Sequence, residues 1–255
     1  MMEQLIDVTL AGLTLPCALR FPETAVFPPP DPAAPRVGID PVRLSREDWD
    51  HFLSTGMAET PQTEYSLLTA SFSDALMEFN RLIIHGVALR WQEHAYLICA
   101  ASGVGKSTQA RWLQTLRPSE FGVICGDRPI LEFCHCEPVT DVTGAAIRPP
   151  VTEGSILVHP SPWNGKENWY GAEAAPLAGL ILLERGDENR LCTLSPREAA
   201  LAIYSQIIQT CVTAEGIRKA AELATRLLNA VPIWKLTTHQ VPDSTKLLLN
   251  TVFCL

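Results

Sequence analysis

Apolar residues along this chain fall into two patterns, short strand-like runs and longer segments with a helical repeat. Val8, Leu10, Leu13, Leu15 and Leu19 alternate with polar neighbours, which predicts a two-stranded hairpin over residues 6–21. Tyr65, Leu68, Phe72, Leu76 and Phe79 recur every three or four positions, which predicts an amphipathic helix over 63–81. Residues 82–91 and 95–101 read as consecutive strands, 122–127 as a short strand ending in an acid, and 176–183 and 231–236 as further buried strands. Ser45 with Asp48 predicts a helix start leading through Trp49 and Phe52. Ser195, Pro196 and Glu198 predict another, running to about residue 213, followed by helices over 215–228 and 242–251. Residues 145–160 read as irregular or β, and 27–35 and 161–168 as loops.

The strand over 95–101 runs straight into Ser102-Gly103-Val104-Gly105-Lys106-Ser107-Thr108, and a helical pattern with Trp112, Leu113 and Leu116 follows. Strand, glycine loop and helix in that order make a phosphate cradle. The glycines let successive main-chain N–H groups face phosphate oxygens, and the helix adds its positive end. Lys106 would reach the β- and γ-phosphates and the Ser107 hydroxyl would ligate Mg²⁺. The full pattern asks for glycine at position 100, where this chain has Ala100.

Length and composition narrow the rest. The 255 residues, 47% of them apolar, suffice for one large α/β domain or two small ones. Residues 1–60 read as a hairpin and proline-rich region packed on a main domain of 61–255, with the prolines near 28–41 as the best flexible joint. A net charge of −8 advertises neither a nucleic-acid nor an anionic-membrane partner. The N-terminus lacks the basic start of a signal peptide, and no apolar run is long enough to span a bilayer. Eight cysteines, mostly inside apolar segments, fit a reducing cytoplasm rather than a secreted scaffold. Cys134-His135-Cys136 is the one metal-like cluster, without a second ligand pair nearby.

Two groups stand 21 positions either side of Lys106. Asp127 ends a strand, where an acid can hold Mg²⁺ or take a proton from an attacking hydroxyl. His85 precedes Gly86 in the strand region before the cradle. Lys166, in a glycine-containing loop, reads equally as a γ-phosphate contact or as an exposed loop lysine. Arg128 reads equally as a phosphate clamp or an ion-pair partner, and Trp163 as a residue that packs its loop.

His-Gly, a second strand, Ser-Gly-x-Gly-Lys-Ser and an acidic strand end together resemble the catalytic domain of HPr kinase/phosphorylase, whose fold is shared with phosphoenolpyruvate carboxykinase. The blocks 126–131, 162–166 and 176–185 are similar to those of small HPr kinase-like proteins, including kinases that phosphorylate lasso-peptide precursors. The resemblance covers roughly residues 60–240. It implies a P-loop α/β fold with a mixed β-sheet and flanking helices, and an ATP- and Mg²⁺-dependent kinase acting on a serine of a peptide or protein. It also implies Ser102 to Thr108 around the phosphates, Ser107 and Asp127 around the metal, and Asp127 or His85 as proton acceptor. Two departures are visible. The family has paired aspartates where this chain has Gly126-Asp127, and Thr108 replaces a glutamate, which argues against the reverse, phosphorylase reaction. A nucleotide-binding switch and a small-molecule kinase stay open as rivals, as does homo-oligomerisation.

Overall fold

The computed structural model describes residues 3–24, 26–134, 154–171, 173–210 and 213–254. It is a mixed α/β structure, with one large mixed sheet flanked by helices and a separate two-stranded hairpin. The hairpin pairs β1 (Gln4–Leu10) with β2 (Leu13–Leu19) through a turn whose Ala11 and Gly12 both have positive φ. That geometry matches the right-handed twist of the flanking strands.

Capping chemistry sets the helix starts. The predicted capping boxes form at α1 (Arg46–Ser54, from Ser45 and Asp48) and at α4 (Pro196–Tyr204, from Ser195 and Glu198). Thr60 caps α2 (Pro61–Met77), Thr213 caps α5 (Ala214–Ala230), and α6 (Val241–Thr251) closes the described chain with proline in its first turn.

The large sheet is built around β9 (Ala175–Arg185). Its first residues pair antiparallel with β8 (Ile156–His159), and the remainder runs parallel to β5 (His94–Cys99) and β11 (Ile233–Thr238). The antiparallel strand β10 (Arg190–Leu194) adds beyond β11. Beyond β5 lie β4 (Gly86–Trp91) and then β6 (Phe121–Cys125), each antiparallel to its neighbour in the chain β5-β4-β6. Beyond β8 lie β7 (Ile130–Phe133) and β3 (Arg81–Ile83). Consequently the C-terminal ends of β5, β6 and β9 and the N-terminal end of β4 share one edge of the sheet. Ligands of α/β sheets gather at such an edge.

Three sequence expectations need correction. The run 82–91 is two strands, because β3 pairs with β7 whereas β4 pairs with β5 and β6, and the chain steps between them at Ile84 and His85. The helix from Ser195 ends at Tyr204 rather than near residue 213. The backbone turns there so that the Gln206 carbonyl accepts from the His85 N–H at 2.7 Å and the Ile208 N–H donates to Ile83 at 2.9 Å. The proline stretch, expected as a joint, is bonded along its later half to the hairpin. Main-chain bonds from Thr14 to Pro35, Val37 to Thr14, Val42 to Pro16 and Ala18 to Val42, all 2.8–2.9 Å, lay residues 35–42 along β2.

The N-terminal hairpin shares a core with the rest. Val8, Leu15, Cys17 and Leu19 pack with Leu68, Phe72 and Leu76 of α2, Ile83 of β3 and Ile130 of β7. Phe72 is wholly buried in that cluster, so truncating it to alanine would cost about 3–5 kcal/mol. A buried ion pair ties the same regions: Arg81 binds Glu132 at 2.7 Å and donates to the Ala11 carbonyl at 2.9 Å, and His159 completes it at 2.8 Å from Glu132.

Candidate functional site

β5 ends at Cys99, and after six intervening residues α3 (Lys106–Leu116) begins with Gly105 as its N-cap. Gly103 and Gly105 have φ of +78° and +124°, backbone that side chains rarely tolerate, and a Cβ on either would meet open space. No side chain caps α3. Its first-turn N–H groups therefore keep their positive end free for an anion. Lys106 is 7% exposed and its Nζ donates to the Ala100 carbonyl at 2.9 Å. Position 100 thus contributes a main-chain oxygen while its methyl packs with Val87 and Ile98, so the alanine is compatible with the loop. Burial lowers the Lys106 pKa below the usual lysine range, against an opposing pull from Asp127.

Across from the loop, β6 delivers Gly126 and Asp127, and the Asp127 carbonyl accepts from the Gly86 N–H at 2.8 Å. His85 lies in the step before β4, and its Nε2 stands 3.4 Å from Asp127 Oδ1. On the other carboxylate oxygen, Arg128 Nε also approaches to 3.4 Å. Arg128 is held in turn by the Ser66 carbonyl at 3.2 Å and the Thr69 hydroxyl at 2.6 Å, so it reads as an ion-pair partner anchored to α2. Burial pushes the Asp127 carboxyl up. The hydrogen bond from His85 and the charges of Arg128, His85 and Lys106 outweigh it and hold the group below the usual carboxylate range.

The loop over 162–171 is fastened to the same place. Gly126 and Gly171 N–H groups bond Trp169 and Ile124 carbonyls at 3.0 and 2.8 Å, laying the loop along β6. Trp163 packs the loop as its sequence suggests. It is 4% exposed, donates to the Tyr65 carbonyl at 2.8 Å and rests against Phe27, Tyr65 and Phe72. This seating brings Gly165 and Lys166 beside Asp127.

His85, Asp127, Lys166 and the loop residues Ser102, Gly103, Gly105, Lys106, Ser107 and Thr108 line one cavity of about 680 Å³. Val104 does not join them. Its side chain packs on the apolar cluster around Ile98 and Leu113, and its carbonyl accepts from Arg185 at 3.2 Å. Arg185 is the residue the sequence did not single out. It ends β9, lines the same cavity and also donates to the Gly103 carbonyl at 3.0 Å. The parallel pairing of β9 with β5 puts it there, a long-range register that no local pattern encodes.

Among the described residues no group of three or more His, Cys, Asp or Glu is placed to hold a metal. Ser107 and Asp127 offer one hydroxyl and one carboxylate on the same cavity. That donor set suits Mg²⁺, which keeps waters and takes phosphate oxygens for its remaining positions, better than a metal needing a full protein cage. Of the Cys-His-Cys cluster only Cys134 is described; His135 and Cys136 lie outside the described residues. Among the described residues no helix is long and apolar enough to cross a membrane.

No family model matches the chain, and no curated protein matches it. Among solved structures 47 chains match. One is the Hpr(Ser) kinase/phosphatase from Coxiella burnetii, 11% identical with a TM-score of 0.36, covering 68% of this chain and 96% of that one. At that similarity, function rests on this chain's own strands and side chains.

Proposed function

We propose that this chain is an HPr kinase-like phosphotransferase that uses ATP and Mg²⁺ to phosphorylate a hydroxyl, that of a serine in a peptide or protein. The observation carrying it is the convergence, on one cavity, of an uncapped helix N-terminus, a buried lysine and an acid–histidine pair. The N–H groups of the loop and Lys106 hold the β- and γ-phosphates. Ser107 and ionised Asp127 would hold the metal, which would supply charge neutralisation on the transferring group. The acceptor oxygen forms a bond to the γ-phosphorus as the bond to the β–γ bridging oxygen breaks. ADP leaves, and the hydroxyl proton passes to the Asp127–His85 pair. Lys166, exposed and without an ion-pair partner among the described residues, is free to meet charge on the transferred group.

The test is transfer of labelled γ-phosphate from Mg-ATP to serine-containing peptides, including those encoded beside this gene, with Lys106→Ala as control. Label on serine with the wild type and none with the variant is expected. Equal labelling by both would sink the assignment. One observation favours a second reading, a nucleotide-binding switch: position 126 holds glycine rather than a second acid, and the other carboxylate on the cavity, Glu167, is paired with Arg111. Mg-ATP binding without transfer to peptide, small hydroxy compound or water would favour the switch.

A further inference from the structure

Asp127 borders two cavities. Besides the one at the phosphate loop, a second of about 900 Å³ opens on its other side, and the two share Asp127, Arg128, Gly165 and Lys166. Gly165 is where they meet. Its φ is +77°, and even a Cβ there would stand 3.0 Å from the Asp127 Cβ, so any larger residue would crowd the junction. A phosphoryl group held in the first cavity and a hydroxyl held in the second would approach each other at the Asp127 carboxylate.

The second cavity has a wall that the phosphate site lacks. One side is the start of α2, with Gln62 and Ser66; another is the segment after the first hairpin, with Val26 and Pro28; the third is the 162–170 loop. Its charged groups, Asp127, Arg128 and Lys166, all stand at the junction, and the remaining lining is uncharged. Gln62, Asn164 and Asn168 each offer a carboxamide, which can donate and accept, as the main chain of an extended peptide requires. Val26 and Tyr170 are two of the few large apolar side chains left exposed, at 64% and 53%, and both face this cavity. Its volume lies at the upper end of the range for compact ligand sites, ample for several residues of chain.

We propose that this second cavity is the acceptor site, and that its occupant is an extended, uncharged peptide segment. The accepting hydroxyl lies at Asp127, and a neighbouring apolar side chain packs between Val26 and Tyr170. Selectivity for the acceptor then comes from the N-terminal region, residues 26–28, together with the 162–170 loop, and not from the phosphate loop. This deepens the kinase assignment and rests on it.

The full-length protein with Mg-ATP is given a degenerate peptide library with a fixed central serine, and the residues selected at each flanking position are read from labelled products. Val26→Ser and Tyr170→Ser are run beside the wild type, with thermal melting and Mg-ATP binding measured for each. Selection of an apolar residue at a flanking position is expected. Both variants should abolish it, raising peptide KM at least fivefold while kcat, the KM for ATP and the melting temperature stay within experimental error. Labelling without any flanking preference, or selection unchanged in both variants, overturns the proposal. So does transfer to free serine or another small hydroxy compound as efficient as transfer to peptide, or no peptide labelling although Mg-ATP binds. Absence of Mg-ATP binding would instead remove the kinase assignment beneath it.

Discussion

The main-chain oxygen of Asn164 occupies the space a side chain on Gly126 would need. An ideal Cβ at position 126 collides with that oxygen and stands 3.1 Å from the Cβ of Trp169. The loop that carries Lys166 is therefore seated where a second acid at the strand end would project, and Gly126 and Asn164 are one structural choice. Gly126→Asp should not rebuild an acidic pair. It should destabilise the fold by about 1–3 kcal/mol, as overpacking against rigid backbone does, and lower activity. Gly126→Ala, which meets the same oxygen without adding charge, separates the causes in a denaturant titration. Equal losses for both variants identify the Asn164 contact, whereas higher turnover in Gly126→Asp would show that the loop yields.

Asp127 and His85 act on one proton in the proposed reaction, yet their loss should look different. Asp127→Asn keeps the size of the side chain but removes metal-binding charge, so turnover should fall about 100-fold or more with metal-free nucleotide binding nearly unchanged. His85→Ala should slow turnover by a smaller factor and leave melting almost unaltered. A melting loss without a rate loss would make His85 a packing residue. The depressed pKa of Asp127 also fixes a sign for stability. Its charged form stabilises the fold above the ordinary carboxylate pKa, and that contribution is lost as pH falls through the lowered folded value. The gap between wild-type and Asp127→Asn melting curves should therefore be widest near neutrality and close in acid.

Local chemistry made much of this legible. The capping boxes at Ser45 and Ser195, the repeat from Tyr65 to Leu76 and the glycine loop are encoded within a few residues, and the structure has them where the sequence puts them, although α2 ends at Met77 and leaves Phe79 in the turn beyond it. What was hidden depends on distant partners. β7 and β10 are short, and their pairing with β8, β3 and β11 supplies what their sequences do not announce. The apolar run Ile207-Ile208 continues the helical pattern, but the Gln206 carbonyl accepts from His85 and the Ile208 N–H donates to Ile83, which draws this backbone to the strand step at 83–85. At the site, the loop residues and Asp127 were readable because strand ends carry them. Arg185 and the contact between Gly126 and Asn164 were not, because both arise where separate segments meet.

Cysteine reactivity offers an independent check on the core. Cys17 in β2 and Cys99 at the end of β5 are fully buried, and burial pushes both thiols up to about 12. The thiolate is the reactive form, so neither should alkylate at pH 8 while the protein is folded. Cys254 is exposed and should react at once. Peptide mapping after a timed iodoacetamide pulse reads all three. Rapid labelling of Cys99 in native protein would mean that the strand feeding the phosphate loop is not packed as described.

Arg185 tests whether the phosphate loop is held ready before nucleotide arrives. Its guanidinium lies on the cavity wall and donates to the carbonyls of Gly103 and Val104, which fixes the orientation of both peptide groups. Two carbonyls bridged by one planar group suit arginine, since lysine offers a single point of charge. Arg185→Ala should weaken Mg-ATP binding about tenfold, equivalent to roughly 1.4 kcal/mol, with little change in melting because the side chain is exposed. Arg185→Lys should fall between. Amide exchange over residues 103–105 in nucleotide-free protein decides the cause. Faster exchange in Arg185→Ala identifies a brace on the loop, whereas unchanged exchange with weakened binding would mean that Arg185 works only by touching the nucleotide.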